Sequence, residues 1–104
     1  MEGLWYMHFT AGPLEGDGLA VLRNGEILGG DPAYTYAGSY REDGKILYAN
    51  VRVCPYPRSK VPSELKHPIT LFLQGTVEDK RASVTGHADN APGLTVAVEL
   101  HRAA

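Results

Sequence analysis

A chain of 104 residues with ten basic and twelve acidic side chains, net charge -2, is long enough for one domain and has no charge excess to draw it to nucleic acid or an anionic bilayer. Its single cysteine, Cys54, has no intramolecular mate, which suits a reducing compartment. The opening "MEGLWYMHFT" has no charged leader with an apolar run, and no segment reaches membrane-spanning length. The expectation is a soluble, cytoplasmic protein with no nucleic-acid or membrane partner.

Glycines and prolines punctuate short segments rich in Val, Tyr, Leu and Thr, the pattern of an all-β domain with frequent turns. The expected strands run Gly3–Thr10, Asp17–Arg23, Glu26–Gly30, Ala33–Arg41, Lys45–Cys54, Ile69–Glu78, Arg81–Ala88 and Leu94–Arg102. In the first strand, Trp5, Met7 and Phe9 alternate with Leu4 and Tyr6, so both faces are apolar. The second and third strands behave alike, with Leu19, Val21 and Leu28 opposing Ala20, Leu22 and Ile27. Asn24-Gly25 favours a two-residue turn with both central residues at positive φ, which sets Leu22 against Ile27.

"GGDP" at Gly29–Pro32 lacks the spacing and following helix of a nucleotide-binding loop, and Pro32 removes an N–H an anion would need. It is expected to be a sheet corner. The fourth strand then places Tyr34, Tyr36 and Tyr40 on one face. If Asp43-Gly44 forms the next tight turn, Tyr40 opposes Leu47, Gly38 opposes Ala49, Tyr36 opposes Val51 and Tyr34 opposes Val53. Ser39, Ala37, Thr35, Tyr48, Asn50 and Arg52 fall on the other, wet face. Cys54, in the apolar "VRVC" strand, reads as a buried small hydrophobe rather than a nucleophile.

Four prolines in "PYPRSKVPSELKHP" rule out a central strand, leaving a crossing loop or a lid, with a possible helical turn begun by Ser63. An Asp79-Lys80 turn then puts Leu71, Leu73, Gly75, Val77, Ala82, Val84 and Gly86 on one side, and Leu94, Val96, Val98 and Leu100 point the same way in the last strand. Interior glycines at 75 and 86 suit a sheet that coils and curls closed. The sum is a small eight-stranded antiparallel up-and-down barrel of the lipocalin or calycin kind.

No catalytic residue, cofactor or metal site is expected. His8, His67, His87 and His101 are not at metal-ligand spacings, and antiparallel first and last strands are expected to send His8 and His101 to opposite ends. No nucleophile elbow occurs, and Cys54 has no evident His partner. Tyr34, Tyr36 and Tyr40 are either core or the lining of a pocket for a small apolar ligand. The two-faced strands point to an outer surface, including Leu4 and Tyr6, that forms a homodimer interface, although scattered outer hydrophobes are also ordinary on small proteins.

"GLWYMHF", "GDGLAVLRNGEILGGD" and "YTYAGSYREDGKILYANV" together resemble the GrlR-like negative regulators of type III secretion over about the first half of the chain. The resemblance implies a dimeric, non-enzymatic lipocalin-like barrel in bacteria that binds a protein partner, a transcriptional activator. It also implies that Glu42 and Asp43 match the first half of the family's partner-binding acidic motif, with Gly44 and Lys45 standing where the second acidic pair would be.

Overall fold

The computed structural model describes residues 1–58 and 67–104. Its strands are β1 (Gly3–Ala11), β2 (Leu14–Arg23), β3 (Glu26–Gly30), β4 (Tyr34–Asp43), β5 (Ile46–Pro55), β6 (Ile69–Val77), β7 (Arg81–Ala88) and β8 (Ala91–Arg102). Each pairs antiparallel with the next, and β8 returns to β1, so the sheet closes in the expected up-and-down barrel and leaves no open edge.

Turn chemistry sets most registers. Asn24 and Gly25 both have positive φ (52° and 80°), and Leu22 pairs with Ile27 as the Asn-Gly signal requires. Val77 pairs with Ala82 around Asp79-Lys80, as expected. The β4–β5 turn departs from expectation by one residue. Only Gly44 has positive φ (63°), and Asp43 pairs with Ile46, so Gly44-Lys45 forms the turn with glycine first. Tyr40 therefore opposes Ala49, Gly38 opposes Val51, Tyr36 opposes Val53 and Tyr34 opposes Pro55. Each partner is displaced by two residues, which preserves the inward and outward faces because side chains alternate with period two.

Two strands, β2 and β8, begin three residues earlier than their sequence suggested. Gly12 (φ 62°) and Pro13 make a tight turn, so Ala11 pairs directly with Leu14 and "AGPLEG" belongs largely to a long hairpin. Similarly, β8 begins at Ala91, with a register shift near His87 and Ala88 that absorbs Pro92, Gly93 and Leu94.

Burial alternates along the strands as a half-buried sheet demands. Leu47, Ala49, Val51, Val53, Leu71, Leu73, Val84 and Val98 are buried inside the barrel. Thr35, Ala37, Ser39, Asn50 and Arg52 lie outside and exposed. Cys54 is half-buried on the outer side, paired with exposed Thr35, and so is not the buried hydrophobe expected. The proline-rich segment, its suggested lid and the turn at Ser63 fall mainly at 59–66, outside the described residues.

Candidate ligand-binding lumen

Inside the barrel is a cavity of about 260 Å3. Its walls come from inward positions on every strand, among them Met7, Leu22, Leu47, Leu73, Val84 and Val98. They face inward because the apolar members of each alternating strand do so together. Three of the barrel's connections, around Gly12-Pro13, Asp31–Ala33 and Asp89-Asn90, lie at one end, with Ala11, Leu14, Ala91 and Leu94 lining the lumen beside them. Leu14 and Leu94 are partly exposed there.

The opposite end is filled. Trp5 is completely buried, and its indole Nε1 donates to the Met1 carbonyl at 3.1 Å. Val77 and Ala82 are also buried and do not line the cavity, so they belong to the same closing layer.

All three tyrosines expected to form a pocket, Tyr34, Tyr36 and Tyr40, line the lumen. Their hydroxyls diverge. Tyr36 donates to Asp31 Oδ2, and Tyr40 donates to Glu2 Oε2 at 3.2 Å toward the filled end. Burial, then the hydrogen bond to Asp31, holds the Tyr36 hydroxyl well above the usual tyrosine range. Burial, reinforced by the Asp31 charge, also raises Tyr34, and burial followed by the Glu2 hydrogen bond raises Tyr40.

Asp31 is the organising residue that sequence reasoning missed. Its Oδ1 accepts the backbone N–H groups of Ala33 and Tyr34, each at 2.7 Å, and its backbone carbonyl accepts the Tyr56 hydroxyl at 2.6 Å. "GGDP" is thus the sheet corner expected, with the aspartate fastening the start of β4 to that strand's second inward residue, Tyr36. The Asp-Pro turn signal marked the side chain as a local acceptor. Its bond to Tyr36 needed the folded corner.

The residues expected to meet a partner or a second copy lie apart from the lumen, whereas His67 lines it. Glu42 accepts the Met1 ammonium at 2.5 Å rather than pairing with Lys45, while Asp43 is exposed at the end of β4. Leu4 is half-buried and Tyr6 exposed on the outer face, where Tyr6 pairs with Leu19 and Leu4 with Val21. His8 and His101 are not at opposite ends. Antiparallel closure sets the end of β8 against the first half of β1, so His101 pairs with Tyr6, two residues from His8.

His8 itself bridges two carboxylates, with Nδ1 at 2.7 Å from Asp17 and Nε2 at 3.2 Å from Glu15. Among the described residues no three His, Cys, Asp or Glu side chains are grouped to hold a metal ion, and no helix is long and apolar enough to cross a membrane.

The lumen is walled almost wholly by apolar side chains. Among the described residues lining it there is no serine, threonine, cysteine, lysine, arginine or carboxylate, and polar groups come only from the tyrosines, His67 and Asn90. Compared with known proteins, the chain matches no family model and no curated protein.

Proposed function

We propose that the protein is a non-enzymatic binding barrel that takes up a small apolar molecule in its lumen. The observation that carries this reading is the apolar-walled space of about 260 Å3 inside the barrel, larger than the voids that close-packed interiors contain. Native mass spectrometry of protein isolated from its own cells tests it. The expected spectrum contains a non-covalent adduct that Ala49→Phe, which fills the lumen from β5, removes without unfolding the barrel. Repeated absence of an adduct, together with no uptake of naphthalene by the unaltered protein, would discard the reading.

A second reading is supported by a different surface. Tyr6, Leu19, Val21 and Leu28 are exposed to 59%, 45%, 45% and 59% on the outside of β1–β3, and cross-strand pairing makes them contiguous. Such a stripe fits association with a second copy, and thereby a regulatory barrel that acts on a protein partner such as a transcriptional activator. The type III secretion resemblance points the same way, while Glu42, engaged by the Met1 ammonium, leaves Asp43 as the freer acidic group of that turn. Affinity capture with wild-type and Asp43→Lys protein separates a partner that reads the acidic turn from one that does not.

A further inference from the structure

We propose that the lumen selects neutral, compact molecules with a single polar group, which meets the Tyr34 hydroxyl, and that it rejects ions built on the same skeleton. The proposal rests on the ligand-binding reading above and specifies its chemistry.

Size comes first. An apolar cavity of about 150 Å3 holds benzene, so by proportion a lumen of about 260 Å3 holds roughly ten heavy atoms, a two-ring aromatic or a short branched hydrocarbon. Long acyl chains exceed that volume.

Charge comes second. Among the described residues that line the lumen no lysine or arginine is present to neutralise an anion, and no carboxylate is present to receive a cation. An unpaired ion transferred from water into such walls is strongly disfavoured. The nearby Asp31 carboxylate, linked to the lumen wall through Tyr36, adds a negative field, and its oxygens already serve the amides of Ala33 and Tyr34 and the Tyr36 hydroxyl.

His67 and Asn90, the other polar residues on the lining, are exposed, and among the tyrosines the polar contact is assigned by elimination. Tyr36 and Tyr40 spend their hydroxyl protons on Asp31 and Glu2. Tyr34 lines the same space, half-buried, and no described side chain hydrogen-bonds its hydroxyl. A tyrosine hydroxyl is protonated at neutral pH, and burial and the Asp31 charge raise this one further, so it is a donor for a ligand oxygen.

The test uses naphthalene, 2-naphthol and 2-naphthoate as probes with one ring system, titrated by fluorescence at pH 7. Naphthalene and 2-naphthol are expected to bind, with 2-naphthoate at least about tenfold weaker than 2-naphthol. Tyr34→Phe is expected to weaken 2-naphthol by about fivefold and leave naphthalene unchanged, as loss of one hydrogen bond requires. Naphthoate binding as tightly as naphthol would overturn the neutral-ligand inference while leaving the lumen a binding site. A Tyr34→Phe protein that binds both neutral probes unaltered would overturn the role of Tyr34. Binding of none of the three would remove this proposal and the ligand-binding reading together.

Discussion

The guanidinium carbon of Arg102, on β8, sits 4.5 Å from the ring centroid of Trp5, on β1, joining the last strand to the first at the filled end of the barrel. The same side chain donates through Nε to the Asp79 carbonyl at 3.1 Å and through Nη1 to the Glu2 carbonyl at 2.5 Å. One planar cation therefore covers the indole and ties the β6–β7 turn to the amino-terminal segment. Arg102→Ala is expected to destabilise the fold by about 1–2 kcal/mol, combining a half-buried cation–π contact with charge-assisted hydrogen bonds. Arg102→Lys should recover only part of this, since an ammonium cannot lie flat on the ring while donating in two fixed directions. Urea denaturation midpoints at unchanged slope measure both.

Barrel closure depends on close approach between strands at inward glycines. A Cβ at Gly86 would stand 1.7 Å from the Phe72 carbonyl oxygen, and one at Gly75 would stand 1.8 Å from that of Ser83. These oxygens belong to backbone that the ladder holds in place, so no side-chain rotation relieves the clash. Gly86→Ala is expected to cost about 2 kcal/mol or more through forced backbone shift. Gly93→Ala meets nothing within 4 Å and should change stability by less than about 0.5 kcal/mol. Equal thermal midpoints for the two variants would contradict the account of curvature.

Alkaline pH should weaken the barrel through its inward tyrosines. Tyr36, Tyr34 and Tyr40 are all raised above the ordinary 10.0, each chiefly by burial. The folded state therefore favours the neutral phenol, so this stabilisation is fully present below about pH 10 and is lost as pH rises above it. Urea midpoints measured from about pH 9 to pH 11 should fall, and Tyr36→Phe should make that fall shallower because one ionising group is gone. An unaltered slope in the Phe variant would show that Tyr36 does not contribute.

The legible and illegible parts of this fold divide on physical grounds. Asn24-Gly25 demands positive φ at two adjacent positions, which few other arrangements supply, and so its hairpin register could be read directly. Gly44 alone serves either of two turns, Asp43-Gly44 or Gly44-Lys45, and the choice depends on how β4 meets its neighbours. The inward face of Tyr34, Tyr36 and Tyr40 survived that ambiguity because the displacement was an even number of residues. The offset between β1 and β8 is set by the stagger of the closed barrel and by no turn, which is why the nearness of His101 to His8 was hidden. The lumen's polar contacts were hidden for a related reason: Tyr40 meets Glu2 across 38 residues, a contact made only on closure.

On the outer surface, His8 should titrate above its ordinary value. The hydrogen bond that the ring Nδ1–H donates to Asp17 is the main cause, opposed by desolvation and supported by the charges of Asp17, Glu15 and Glu99. The protonated imidazole is the form favoured by folding, so its contribution is complete below pH 6.5 and disappears as pH rises through the raised midpoint. An NMR titration of the ring protons should place that midpoint above 6.5, and Asp17→Asn should return it toward 6.5. Added salt near 1 M should act in the same direction as Asp17→Asn, because exposed charges are screened.

One row across from His8, Tyr6 and Leu19 begin the apolar stripe that continues through Val21 to Leu28. If a second copy covers this stripe, a charge placed in it must be desolvated on association, and Tyr6→Asp or Leu28→Lys should weaken self-association by about tenfold or more. Thr85→Lys, exposed on β7 away from the stripe, should leave association unchanged. Sedimentation equilibrium at tens of micromolar distinguishes these outcomes: the unaltered protein should exceed the 11.3 kDa of one chain, while the stripe variants approach it. An unaltered protein that sediments as a single 11.3 kDa species over that range would remove the dimer. The stripe would then be ordinary exposed strand surface on a monomeric barrel, and the lumen would stand as the functional feature by itself.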